Sequence, residues 1–83
     1  MAAGYPVFLN VDQLRCLVIG TGREAEEKSA ALTDCGAQVE RHEAYTPGSL
    51  AGFFLVISAG PDRSQNAAIF AEAESLGSLV NCL

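Results

Sequence analysis

The run Cys16-Leu17-Val18-Ile19, entered through Arg15, passes without a break into Gly20-Thr21-Gly22-Arg23-Glu24-Ala25. It has no polar alternation, so it reads as a strand covered on both faces, as strands of parallel sheets are. Parallel neighbours need a crossover, normally a helix. A helical period follows at once: Ala25, Ser29 and Leu32 recur at i, i+4 and i+7, and Glu26, Glu27 and Lys28 mark the wetter side. Glu24, Glu26 and Glu27 suit the positive N-terminal end of such a helix, and Gly36 supplies its stop. The spacing predicts a helix over 24–35 and a brief second strand over 37–40.

The same alternation recurs. Phe53-Phe54-Leu55-Val56-Ile57-Ser58 is a second buried-type strand and ends at Gly60-Pro61, a strong breaker. Asp62 is an N-cap candidate with Gln65 three positions on, and a helix over 63–76 would place Ile69, Phe70, Ala73 and Leu76 on one face. Gly77 stops it, and 78–83 reads as a last strand. Pro6-Val7-Phe8-Leu9 is a short extended piece that leads the chain towards the sheet. The fold class is therefore α/β, a mainly parallel open sheet with flanking helices. One link does not fit: residues 41–52 hold Pro47, Gly48, Ser49 and Gly52, which allow no crossover helix of useful length. Either this unit is shortened or a segment is missing from it.

With 49% apolar and 18% charged residues the 83-residue chain is a core-former of one domain at most. Its net charge is -5 and its basic residues, Arg15, Arg23, Lys28, Arg41 and Arg63, are scattered, which argues against nucleic acid as a partner. No apolar run nears the roughly 20 residues of a membrane span, and there is no secretory layout at the N-terminus, so the cytoplasm is the expected location. Cys16, Cys35 and Cys82 are odd in number and unpaired in spacing. They indicate neither a disulfide framework nor a metal site and read as small buried hydrophobes.

Strand, Gly20-x-Gly22-x-x-Ala25, helix is the order a dinucleotide-binding turn needs. The first glycine makes the tight turn, the second admits a pyrophosphate, and a small third residue brings helix and strand together. The rival reading is a βα turn whose glycines serve geometry alone. The motif also expects an acid about 20 positions on, to hold the ribose hydroxyls of NAD. Glu40 stands there, with a solvated strand-end glutamate as the alternative. A second candidate ligand loop is Ser58-Ala59-Gly60-Pro61-Asp62, on the same sheet edge. Asp62 reads as a cap rather than a catalyst, and His42, the only histidine, as a surface residue.

Two long phrases carry a resemblance. "YPVFLNVDQLRCLVIGTGREAEEKSAALTDCGAQV" is similar to the start of the siroheme synthase N-terminal domain, the precorrin-2 dehydrogenase and sirohydrochlorin ferrochelatase family, through Pro6, Phe8, Gly20, Gly22, Ala25, Lys28, Leu32, Gly36 and Ala37. "YTPGSLAGFFLVISAGPDRSQNAAIFAEAESLGSLVNCL" resembles its later run through Tyr45, Leu50, Phe54 to Ile57, Ala59, Asp62, Asn66 and Asn81. The chain departs from the pattern at Thr21, Glu24 and Gly60-Pro61, and the family lends no support to Glu40 as a ribose ligand.

The resemblance implies a Rossmann-type NAD-binding domain over 1–83. It implies an enzyme of siroheme (porphyrin) biosynthesis that takes hydride from precorrin-2, a tetrapyrrole, with iron insertion in some members, and a homodimer. By position Gly20, Thr21, Gly22, Arg23 and Glu24 would lie at the cofactor, with Ser58, Ala59 and Gly60 as its second contact. The family's catalytic Asp follows the phrase matched by Asn81, one place beyond Leu83, so no residue here is assigned to catalysis and none to a metal. Two other readings stay open: a non-catalytic nucleotide-binding or regulatory module of the same fold, and a structural domain without a ligand.

Overall fold

The computed structural model describes residues 4, 6–60 and 63–83; the expected breaker Pro61 and cap Asp62 lie outside them. Strand β1 (Arg15–Ile19) leads into helix α1 (Arg23–Asp34) and strand β2 (Gln38–His42); strand β3 (Leu55–Ser58), a 3-10 turn (Arg63–Gln65), helix α2 (Asn66–Leu76) and strand β4 (Leu79–Cys82) follow. The sheet order is β2-β1-β3-β4 and every pairing is parallel. The α/β class and the open parallel sheet expected from the sequence are what the chain forms.

The apolar runs explain the centre of the sheet. Cys16, Leu17, Val18, Val56 and Ile57 are buried because β1 and β3 carry helices on opposite faces. Residues in register share a face, so Leu17 and Val56 point to α2, where they meet Ile69 and Ala73. Cys16, Val18, Leu55 and Ile57 pack with Ala25, and with half-buried Leu32 and Val39, on the α1 side. The chain passes from β1 to β2 in one direction through α1 and from β3 to β4 in the other through α2. Right-handed crossovers in those two directions put their helices on opposite faces.

Residues 6–9 precede the sheet without joining a strand, and Val7, Phe8 and Leu9 are exposed. Several expectations need correction. The second strand runs two residues further than its apolar content suggested, since Arg41 and His42 pair with Val18 and Ile19. Phe70 and Leu76 face outward rather than sharing the buried face with Ile69 and Ala73. Cys35 is exposed, whereas burial pushes the Cys16 and Cys82 thiols up from their ordinary values.

The link from β2 to β3, residues 43–54, crosses to the other side of β1 without a helix. Its apolar residues Tyr45, Leu50 and Phe53 insert into the α2-side core. The turn between them is held from outside by one carboxylate: Glu72 of α2 accepts the Tyr45 hydroxyl, the Gly48 N–H at 2.8 Å and the Leu50 N–H at 2.9 Å. One glutamate thus satisfies the backbone of a loop that has no secondary structure of its own. Those bonds hold the Glu72 carboxyl below its ordinary range, the Tyr45 bond foremost, and the same bond raises the Tyr45 phenol.

The signs fix a pH profile. A depressed carboxyl adds stability above its unfolded value, about 4.3, that is lost as pH falls through the folded one. The raised phenol adds stability below about 10 that is lost as pH climbs past its folded value. Thermal melts should therefore show Glu72→Gln less stable than the native chain at pH 7, with the gap closing on acidification towards pH 3.

Candidate functional site

The order β2-β1-β3-β4 reverses direction between β1 and β3, and in open α/β sheets ligands bind outside the carboxyl ends of the strands at such a point. Both candidate loops emerge there. They are fastened to each other and to β2 through backbone bonds: Ala59 N–H donates to Ile19 O at 2.7 Å and Gly20 N–H donates to His42 O at 2.8 Å. Arg41 adds a side-chain brace, with Nη2 donating to Gly20 O and Nη1 to Glu26 Oε1, both at 3.1 Å.

The two glycines do different jobs. A Cβ on Gly20 would sit 2.6 Å from Gly60 N and 2.7 Å from Ala59 C, and its φ is +128°. Its lack of a side chain lets the two loops touch. Gly22 has φ +95° and ψ -173°, a region open essentially to glycine alone, and a Cβ there would meet no atom within 4 Å. Space lies in front of it, and it is here that the sequence reading put the pyrophosphate.

Helix α1 starts at this space. Its first backbone bond runs from Glu26 N–H to Gly22 O at 3.1 Å, so the Arg23, Glu24 and Ala25 amides precede the ladder, and no side chain among the described residues caps them. Uncapped amides at the positive end of a helix are an anion site in waiting. A cleft of about 380 Å³ opens beside them, lined by Thr21, Arg23, Glu24, Ala59, Gly60, Arg63 and Leu83. Among the described residues of that lining are two arginines and one glutamate. Arg23 also pairs with Glu27 at 3.0 Å, a solvent-exposed link that an incoming phosphate could replace at little cost.

Of the residues expected at the cofactor, Thr21, Arg23, Glu24, Ala59 and Gly60 line this cleft. Gly20 is buried behind it, and Gly22 forms the turn at the helix start. Ser58 is buried, in contact with Asn66 Oδ1 at 3.0 Å through its hydroxyl, and borders a second, smaller cleft instead. Arg63 was not foreseen, since a lone arginine behind a Gly-Pro breaker gives no signal in the sequence.

Glu40 lines neither of these two clefts. It lies two residues before the end of β2, with its carboxylate 2.7 Å from His42 Nε2 and 3.8 Å from Arg15 Nη2. Arg15 enters at the opposite, N-terminal end of β1 and stacks over Phe53, its Cζ 4.3 Å from the ring centroid. His42, expected on the surface, is partly covered through the same pair.

Comparison with known proteins places this arrangement. The fold matches that of "SirC, precorrin-2 dehydrogenase" with a TM-score of 0.76 over 94% of this chain and 48% of that one, at 18% identity, so the domain is a Rossmann-type α/β unit. The sequence profile of the putative NAD(P)-binding family matches residues 7–41 and 38–83, and the chain belongs to that family. It is 31% identical to the siroheme synthase of Nitrosomonas eutropha and 33% identical to that of Chromobacterium violaceum, over 93% of its own length in each case. A siroheme synthase 1 of Pectobacterium atrosepticum is 34% identical over 92% of the chain. The chain spans about a fifth of the length of these relatives.

The two matched stretches overlap at residues 38–41, within β2. The Nitrosomonas alignment is 99 residues long, yet 93% of an 83-residue chain is only about 77 residues, so gaps fill the difference. The chain is shorter than that relative within the aligned region.

Gly20 and Gly22 should respond differently to a methyl group. Gly22→Ala should cost about 1–3 kcal/mol of backbone strain in urea unfolding. Gly20→Ala should carry a similar strain plus about 1–3 kcal/mol for forcing apart the 59–60 backbone.

Proposed function

We propose that this chain is an NAD-binding domain that holds its cofactor across the C-terminal edge of β1 and β3, with residues 1–83 forming the nucleotide-binding unit of a precorrin-2 dehydrogenase. The observation that carries the reading is the uncapped start of α1, with Gly22 open in front of it, at the reversal of strand order and beside a cleft with Arg23 and Arg63. The Arg23, Glu24 and Ala25 amides would hold the diphosphate. Arg23 and Arg63 would neutralise it, since guanidinium groups suit phosphate oxygens. The Gly20–Gly60 contact keeps the floor of the site shallow enough for the dinucleotide to cross from one side of β1 to the other.

When bound, NAD supplies the hydride acceptor. The chain's residues position it: Thr21, Ala59 and Gly60 would form the floor beneath it, and Leu83, after β4, the wall on the far side of β3. The substrate class this reading implies is a reduced tetrapyrrole, precorrin-2, in siroheme biosynthesis, as the relatives' names suggest. A homodimer, a cytoplasmic location and iron insertion in the intact protein belong to the same reading through the family resemblance. No helix among the described residues is long and apolar enough to cross a membrane.

The reading is tested by NADH fluorescence titration of the native protein, Gly22→Trp and Arg63→Glu, with circular dichroism as the check on folding. We expect saturable binding by the native protein and at least about tenfold weaker binding by each variant, a loss of about 1.4 kcal/mol or more. No binding by the native protein, or equal binding by all three, would overturn it. Native binding with no precorrin-2 oxidation by the full-length protein would instead favour the nucleotide-sensing module.

A further inference from the structure

The peptide between Gly20 and Thr21 lies at the centre of the glycine turn. It can rotate about ψ of Gly20 and φ of Thr21, and glycine tolerates either sense of that rotation, so the turn's own residues leave its direction open. No peptide bond described is cis, so the Gly20 carbonyl and the Thr21 N–H point to opposite sides.

Arg41, on β2, selects one direction. Its Nη2 donates to Gly20 O at 3.1 Å, and its Nη1 to Glu26 Oε1 on the first turn of α1, also at 3.1 Å. The Gly20 N–H donates to His42 O at 2.8 Å, so β2 holds both polar groups of this glycine. With its carbonyl drawn towards Arg41, the Thr21 N–H is turned away from the guanidinium, and Thr21 lines the larger cleft.

We propose that Arg41 is a positioning residue for the cofactor: by holding the Gly20 carbonyl it fixes the Thr21 N–H as a donor to the bound diphosphate, without touching the nucleotide itself. The inference rests on the cofactor reading above. A donor that is already aimed loses no rotational freedom when its ligand arrives, and that saving appears as affinity.

Three observations support the assignment. Among the described residues the Thr21 N–H has no acceptor, although it leads directly into the uncapped start of α1. The register sets Arg41 beside Val18, on the face that α1 covers, so one planar fork reaches both the turn and the helix that would grip the diphosphate. Arg41 Nε is buried with no partner among the described residues, a loss that a residue kept for stability alone would not carry.

The test is titration of NADH and NADPH into the native protein, Arg41→Met and Arg41→Lys, with circular dichroism as the check on folding and two-dimensional NMR to follow the Thr21 amide. Lysine can keep one charge-assisted bond to Gly20 O, whereas methionine keeps only the apolar stem. We expect folded Arg41→Met to bind both nucleotides at least about tenfold more weakly than the native protein and Arg41→Lys to recover to within about threefold of it. The Thr21 N–H signal of the native protein should shift on saturation. Native affinity in folded Arg41→Met, no recovery with lysine, or a Thr21 signal unmoved while those of Arg23 to Ala25 shift would overturn the role of Arg41 and leave the cofactor site standing. A loss confined to NADPH would overturn it too, by putting the guanidinium on the 2′-phosphate itself. If Arg41→Met does not fold, the affinity of Arg41→Lys and the native Thr21 signal decide. Failure of the native protein to bind either nucleotide would overturn both readings.

Discussion

The ligand edge of this domain depends on how closely two backbones approach, at Gly20 behind β1 and at Ala59-Gly60 behind β3. Any side chain at position 20 would meet the 59–60 peptide at under 3 Å. With glycine there, Ala59 N–H reaches Ile19 O, Gly20 N–H reaches His42 O, and β1, β2 and β3 end in one sealed floor. Amides, guanidinium groups and clefts are arranged above that floor. The lack of a side chain at Gly20 thus lets the two loops touch, and Gly22 supplies a backbone conformation that few other residues adopt while facing open space.

A second constraint comes from chain length. Folds of this kind carry a crossover on each side of the first strand, and here one has shrunk to residues 43–54. Burying Tyr45, Leu50 and Phe53 gives the loop its apolar anchor. Polar backbone in a loop that short needs partners, and Glu72 supplies them from α2. With no intervening helix, Glu43 follows β2 directly and lines the smaller cleft.

How much of this could be read from the residues depended on whether signals were local. The central strands and α1 were legible because unbroken apolar runs and an i, i+4, i+7 period have few other solutions. The inward face of α2 was not, since Ala67, Ala68, Ile69, Phe70, Ala71 and Ala73 make it apolar nearly all round, and only packing selects Ile69 and Ala73. The end of β2 was misplaced because Arg41 and His42 look like loop. On an edge strand with Glu26 and Glu40 as partners they are at home. Contacts such as Glu72 with Tyr45, 27 residues apart, leave no trace in sequence pattern.

The central claim is that the start of α1 and the two loops at the strand-order reversal bind one dinucleotide. Amide chemical-shift mapping by two-dimensional NMR, with NAD titrated into the isotopically labelled protein, tests it most directly. The account predicts saturable shifts concentrated at Thr21 to Ala25 and Ala59 to Gly60, and none at the C-terminal end of α2. Shifts confined to another surface, or no shifts at saturating NAD, would contradict it.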